Sequence, residues 1–312
     1  LRLERNIIPG ENIWQNSALN DIESSRNQIS WIKILSEEEF FKDPWLVQQH
    51  GSYQNYVNSM QSQIDELNKI ILIAQNSLDA DKPDMKYIPR GARNRTVSFL
   101  DYSVFVALLA VLLGGWLMAS EFQQGTIRLL LIRPKTRTKI LTAKFVAALL
   151  ICLGIYMAGS ILNMVTNGIC FGFSDFMYPN YTVSGEINFF AYYFPKMLAC
   201  IITILFAYTG AFMLSVVIKN AAVAIAVPIA GFIGSSIIMG VFTYSRAMNW
   251  IAYTPIPYIQ LSSFFVPHSA VQYIIQRGTP LNLTYGIIML LVLSVLCTVT
   301  SVFVFKTRDI TN

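Results

Sequence analysis

The ionisable residues of this 312-residue chain are few, and their densest cluster is basic. From Glu121 to Lys144 the chain reads EFQQGTIRLLLIRPKTRTKILTAK, so that Arg128, Arg133, Lys135, Arg137, Lys139 and Lys144 stand against a single acid, Glu121. The chemistry of this cluster is electrostatic: a short basic loop is retained on the cytoplasmic side of a membrane. Gly125-Thr126 suits a helix boundary with Thr126 as N-cap, and Arg133, preceding Pro134, is biased away from helix. The expectation is a short helix, a break, and entry into a further apolar run.

Several catalytic patterns are missing from the sequence. There is no GxxxxGK[ST] phosphate loop, no HExxH zinc motif and no GxSxG nucleophile elbow. With only His50 and His268 in the chain, a His-ligated metal site is not expected, and both read as surface residues. Asp175 and Glu186 share one loop and read as solvated charges. Cys152, Cys170, Cys200 and Cys297 lie in or beside apolar runs without CxxC spacing and read as small apolar filler. These missing motifs disfavour an integral-membrane enzyme, and no catalytic residue is singled out.

The elements that position the basic segment are apolar. The composition is 54% hydrophobic and 13% charged, outside the range of soluble globular domains. Five runs, about 97–119, 140–166, 192–217, 221–243 and 284–305, are long enough to cross a bilayer, which takes about 20 helical residues. The predicted fold is an all-α integral membrane protein, a polytopic helical bundle of five spans (97–312) carrying a mainly helical polar domain at 1–96. The charge divides accordingly. Residues 1–101 hold eleven Lys and Arg against fourteen Asp and Glu, a net of −3, and residues 102–312 hold twelve against four, a net of +8. That basic excess suits loops beside an anionic inner leaflet better than it suits nucleic acid.

Orientation follows from the short loops. The 120–139 connector, the two-residue turn Lys219-Asn220 and the end Lys306-Thr307-Arg308 carry positive charge and are expected inside. The loop 167–190 has Asp175 and Glu186 and no Lys or Arg, and is expected outside. Lys82, Lys86, Arg90, Arg93 and Arg95 precede the first span and oppose this orientation, but charge in short loops is the more reliable signal. Residues 1–96 are then extracytoplasmic. The chain starts at Leu1, and translocating a domain of this size calls for an upstream span, making six in all.

Glu121, Gly125-Thr126, Arg128, Leu129-Leu130-Leu131, Pro134, Arg137 and Lys144 resemble the E…GT.R.LL..P..R…..K pattern of ABC-2 type permeases, the membrane subunits of ATP-driven ABC transporters. The resemblance extends over residues 97–312 through the order of spans and the closing FVFKTRDI, and is absent from residues 1–85. It implies that the connector is a cytoplasmic coupling segment docking on an ATPase subunit. ATP and Mg would be bound by that partner and not here. A second permease copy or related permease would complete the transporter, which would export substrate through a multi-pass bacterial plasma-membrane assembly.

Two further regions carry expectations. Tyr53, Val57, Met60, Ile64, Leu67, Ile71, Ala74 and Leu78 alternate at spacings of four and three, one apolar stripe of a helix of about six turns. Ser36 with Glu37, Glu38 and Glu39 reads as a capped helix start. Between the last two spans, Trp250, Pro255, Pro257 and Phe264 belong to an aromatic and proline-rich stretch that suits an interfacial or re-entrant segment, as an anchor or as a gate. Within spans, Pro228 is a kink site, and Gly231, Gly234 and Ser235, like Gly154 and Gly159, read as small faces for close helix packing. The alternative to a permease is a non-transporting receptor or assembly protein whose outer domain binds a ligand and whose basic loop only fixes topology.

Overall fold

A computed structural model of the chain describes residues 5–125, 137–182, 185–244, 246–266, 269–276 and 279–307. The chain forms two compact units. One is assembled from Leu1–Ser98, Leu162–Pro195 and Gln272–Pro280, the other from Phe99–Ile161, Lys196–Val271 and Leu281–Asn312.

The first unit begins with α1 (Ile13–Trp31), α2 (Glu37–Lys42), α3 (Pro44–His50) and α4 (Tyr53–Asp79). Local signals set their ends. Ser36 and Glu39 form the capping box expected from sequence: the Ser36 hydroxyl accepts from the Glu39 N–H, and the Glu39 carboxylate accepts from the Ser36 N–H at 3.0 Å. The bonds from Ser36 hold the Glu39 carboxyl below its usual pKa. Asp43 caps α3, with Pro44 at its first position, and Gly51 at φ +74 ends it. The α4 stripe packs through its C-terminal half. Ile71, Ala74 and Leu78 meet Trp14, Ala18, Leu19 and Ile22 of α1, with Ile7 and Tyr87 completing the core. His50 is buried, not at the surface, with its ring edge-on to Tyr56 at 5.3 Å, because α3 and α4 fold back around the Phe40–Tyr56 aromatic pair. His268 lies outside the described residues.

The five long apolar helices occupy Ala92–Gln123, Thr138–Phe171, Phe189–Ile218, Ala221–Thr243 and Leu283–Thr307. The first contains α5 (Ala92–Phe99) and α6 (Ser103–Gln123), and the others are α7 (Arg137–Phe171), α8 (Phe189–Ile218), α9 (Ala221–Tyr244) and, after the short α10 (Ala270–Gln276), α11 (Leu283–Thr307). They contain the five runs read from hydropathy. In α11 only 17% of the most apolar window is covered by protein, leaving Val295, Leu296, Val299 and Phe303 exposed. Removing such surface from water is worth about 25 cal/mol per Å², so hydrocarbon is its natural solvent. At about 1.5 Å per residue the 35 residues of α7 reach roughly 50 Å, beyond the ~30 Å hydrocarbon core.

Two features of the sequence reading change. Gly231, Gly234 and Gly154 have open space around them, and Gly159 meets only the Phe99 ring, so these are not the close-packing faces. The tight approach is at Gly114 and Gly115 of α6. A Cβ at Gly114 would stand 2.9 Å from the Tyr208 carbonyl of α8, and one at Gly115 would stand 2.7 Å from Ile225 and 3.0 Å from the Ala224 carbonyl of α9. Asp175 is likewise buried, not solvated, and its partner is Arg93.

Candidate functional site

The basic connector starts where α6 ends and finishes where α7 begins, and its ends are tied together. Lys144, two turns into α7, forms an ion pair with Glu121 in the last turn of α6. The side chains are 26% and 18% exposed, so the pair is shielded from bulk water. A hydrogen bond to a charged group in such a setting contributes about 1.5–3 kcal/mol. The second carboxylate oxygen of Glu121 is buried and has no hydrogen-bond partner among the described residues.

Gly125 follows the C-terminal end of α6. Its φ of +68 is left-handed, the conformation in which glycine terminates helices at least cost, and nothing lies within 4 Å of where a Cβ would stand. Arg137 opens α7. Thr126, Arg128 and Pro134 lie outside the described residues. Of the connector residues singled out by sequence, the structure thus brings Glu121 and Lys144 into contact and places Gly125 and Arg137 at the helix ends.

Two residues stand beside this pair: Phe122, which was not singled out by sequence, and Lys219, which was read only as the charge of a short inner turn. Phe122 follows Glu121, and the Lys219 ammonium sits over its ring at 5.4 Å from the centroid. Lys219 belongs to the turn between α8 and α9 and adopts φ +59, uncommon for a residue with a side chain. Asn220 next to it caps α9, its Oδ1 accepting from Ala222 and Val223 N–H. The Phe122 ring also meets Phe305 of α11, with centroids 6.4 Å apart and planes at 70°. The signal in sequence was the Lys219-Asn220 pair: a turn this short between two apolar helices demands a special conformation.

The second unit is knitted further by polar contacts between helices. Ser215 of α8 accepts from the Met118 and Ala119 N–H groups of α6, and the Tyr208 hydroxyl donates to the Phe145 carbonyl of α7 at 2.8 Å. Lys196, 2% exposed in α8, pairs with Asp101 at 3.0 Å. A buried charge inside a membrane helix is kept only when paired.

The proline and aromatic stretch forms successive short 3-10 turns, Arg246–Tyr253, Ile256–Tyr258 and Leu261–Phe265. Pro257 is buried, Pro255 and Phe264 are half-buried, and Trp250 is exposed. The fully buried Tyr258 ring stacks on Phe264 at 5.7 Å and presses on Gly286 of α11, where an added Cβ would stand 2.2 Å from the ring.

In the first unit, Arg93 is wholly buried. Its Nε donates to Asp175 Oδ1 at 3.0 Å, while its terminal nitrogens donate to the Pro83 carbonyl at 2.8 Å and the Pro179 carbonyl at 2.7 Å. Asp175 Oδ2 accepts from the Arg93 N–H. Asp84 accepts from Tyr181 N–H at 2.9 Å, and Tyr181 belongs to the hairpin Asn180–Thr182 with Gly185–Ile187. Among the described residues no group of three or more His, Cys, Asp or Glu is placed to hold a metal.

Five long helices with uncovered apolar faces, joined to a polar helical unit, make this an all-α polytopic membrane protein. The chain belongs to the family described as "Protein of unknown function (DUF2705)", which matches residues 69–311. It is similar to "Uncharacterized protein YhcI" of Bacillus subtilis (strain 168), with 26% identity over 227 residues, 68% of this chain and 67% of that protein. No solved structure matches it significantly.

Proposed function

We propose that this chain is the permease subunit of an ATP-driven ABC exporter, converting ATP hydrolysis in a partner ATPase into movement of its own helices. The observation that carries this reading is the bracketed connector. A strongly basic segment that resembles the coupling region of ABC-2 type permeases leaves α6 and returns into α7, and its base is clasped by the Glu121–Lys144 ion pair. A loop whose only task is to fix topology needs charge but no clasp. A coupling loop needs one, because a push on a slack loop moves no helix.

In this reading Glu121, Gly125, Thr126, Arg128, Pro134, Arg137 and Lys144 form the coupling surface, ATP and Mg reside in the partner, and a second permease copy completes the pore. The 120–139 connector and the C-terminus are cytoplasmic, and residues 1–96 form an extracytoplasmic domain. Trp250, Pro255, Pro257 and Phe264 line an interfacial segment that serves as a lateral gate. Motion proceeds by switching between inward- and outward-open arrangements.

A second reading, a non-transporting receptor or assembly protein, draws on the polar unit, which exposes Trp31, Phe41 and Trp45. Truncating Arg128 and Arg137 together to Ala, in the protein purified with its partner, separates the two. The permease reading expects ATP-coupled transport to collapse while the chain keeps its thermal stability. Wild-type coupling in the double variant would overturn it.

A further inference from the structure

Two adjacent residues of the first long helix contact α7, the turn between α8 and α9, and α11. Glu121 reaches α7 through Lys144, and Phe122 reaches the α8–α9 turn through Lys219 and α11 through Phe305. Both residues belong to the last turn of α6, immediately before the connector. From the convergence of these contacts we infer that Phe122 is the node through which displacement of the connector is distributed to the bundle, with Lys219 as its clasp. The inference rests on the permease reading and adds to it residues outside the connector pattern.

Three physical points support the node. Lys219 holds a left-handed φ of +59, which costs a residue with a Cβ about 1 kcal/mol or more. Glycine would remove that cost, yet lysine stands here with its ammonium over the Phe122 ring. The strain is therefore coupled to a contact that glycine cannot make. Second, the turn has no slack. Asn220 begins α9 directly, so a shift of Lys219 is passed to both α8 and α9. Third, Phe305 is 3% exposed, so an edge contact from Phe122 presses on packed side chains and not on solvent or lipid. Packed contacts of this kind switch between discrete arrangements instead of yielding smoothly.

Phe122 acts through other groups and is a positioning residue. Its role is tested in proteoliposomes holding the full-length chain with its ATPase, using Phe122→Leu, Phe122→Tyr and Lys219→Met. The readouts are ATPase retained on the chain and substrate moved per ATP hydrolysed. Phe122→Leu keeps apolar volume but loses the ring face, so ATPase retention stays as in wild type while the transport-to-ATP ratio falls about three- to tenfold, the range of a part-buried cation–π contact. Phe122→Tyr restores the ratio. Lys219→Met matches Phe122→Leu, and combining the two is no worse than either alone. A wild-type ratio in Phe122→Leu with ATPase retained overturns the node and leaves the permease reading standing. Additive losses in the double variant also overturn it, because the residues would then act separately. If the wild-type chain retains no ATPase, the permease reading falls and the node with it.

Discussion

Replacing Arg93 with Ala removes a wholly buried side chain of the first unit that bonds Asp175 and the carbonyls of Pro83 and Pro179. Alanine leaves a 10%-exposed carboxylate without its counter-charge. Breaking a buried pair from one side costs about 3–5 kcal/mol, and each stranded carbonyl adds about 1–3 kcal/mol where water cannot reach it. These contributions are not additive, so about 4 kcal/mol is a working figure. For a unit of this size each kcal/mol lowers Tm by roughly 2–4 °C, giving a fall of roughly 8–16 °C. The assay is thermal unfolding of the full-length protein in detergent, followed by proteolysis within residues 80–98 and 172–182. Asp175→Asn should also lower Tm, since it leaves the wholly buried Arg93 guanidinium without its counter-charge, and Arg93→Met with Asp175→Leu should recover part of the loss. A Tm within 2 °C of wild type for Arg93→Ala would refute the reasoning, because a buried pair of this kind cannot be removed from one side at no cost.

Three more outcomes follow from the packing and the charges. Gly286→Ala places a methyl into the Tyr258 ring, so the 3-10 stretch 256–265 should detach from α11 and become accessible to cysteine labelling, whereas Gly231→Ala, with open space around it, should not change labelling. Burial, reinforced by Asp21, which accepts from the phenol at 3.0 Å, raises the pKa of Tyr87 above its ordinary value. Its contribution to stability is therefore complete below about pH 10, the unfolded value, and is lost as pH rises toward the folded one. Tyr87→Phe should flatten the alkaline limb of the stability curve, and an unchanged limb would contradict the assignment. Lys196→Met should destabilise the second unit by about 1–2 kcal/mol, discounted from the fully buried case because Asp101 remains 37% exposed, and adding Asp101→Asn should restore most of it.

The elements that were legible in the sequence are those set by local rules. The five apolar runs, the α4 stripe and the Ser36 cap each depend on residues a few positions apart, where hydropathy and helical period act directly. Tertiary pairings left weaker traces. Arg93 stands among Arg90 and Arg95 and reads as one of several topology charges, and only folding brings it to Asp175, 82 positions on. The sites of closest helix approach were misplaced for a related reason. Small residues permit close packing, but which glycines are used depends on the faces that neighbouring helices present. Gly114 and Gly115 meet backbone, while Gly231 and Gly234 meet nothing. At the candidate site the basic connector and the Lys219 turn were visible as charge, whereas the contact of Lys219 with Phe122 was not, because an aromatic and a turn lysine are ordinary until they are seen stacked.

The most direct test of the permease account is purification of the full-length protein from its native membrane in mild detergent, followed by mass spectrometry and an ATPase assay. The account expects a P-loop ATPase in near-equal amount whose activity depends on residues 121–137. A chain that emerges alone and inert, from membranes where it is correctly folded, would contradict it and turn attention to the polar unit at 1–96.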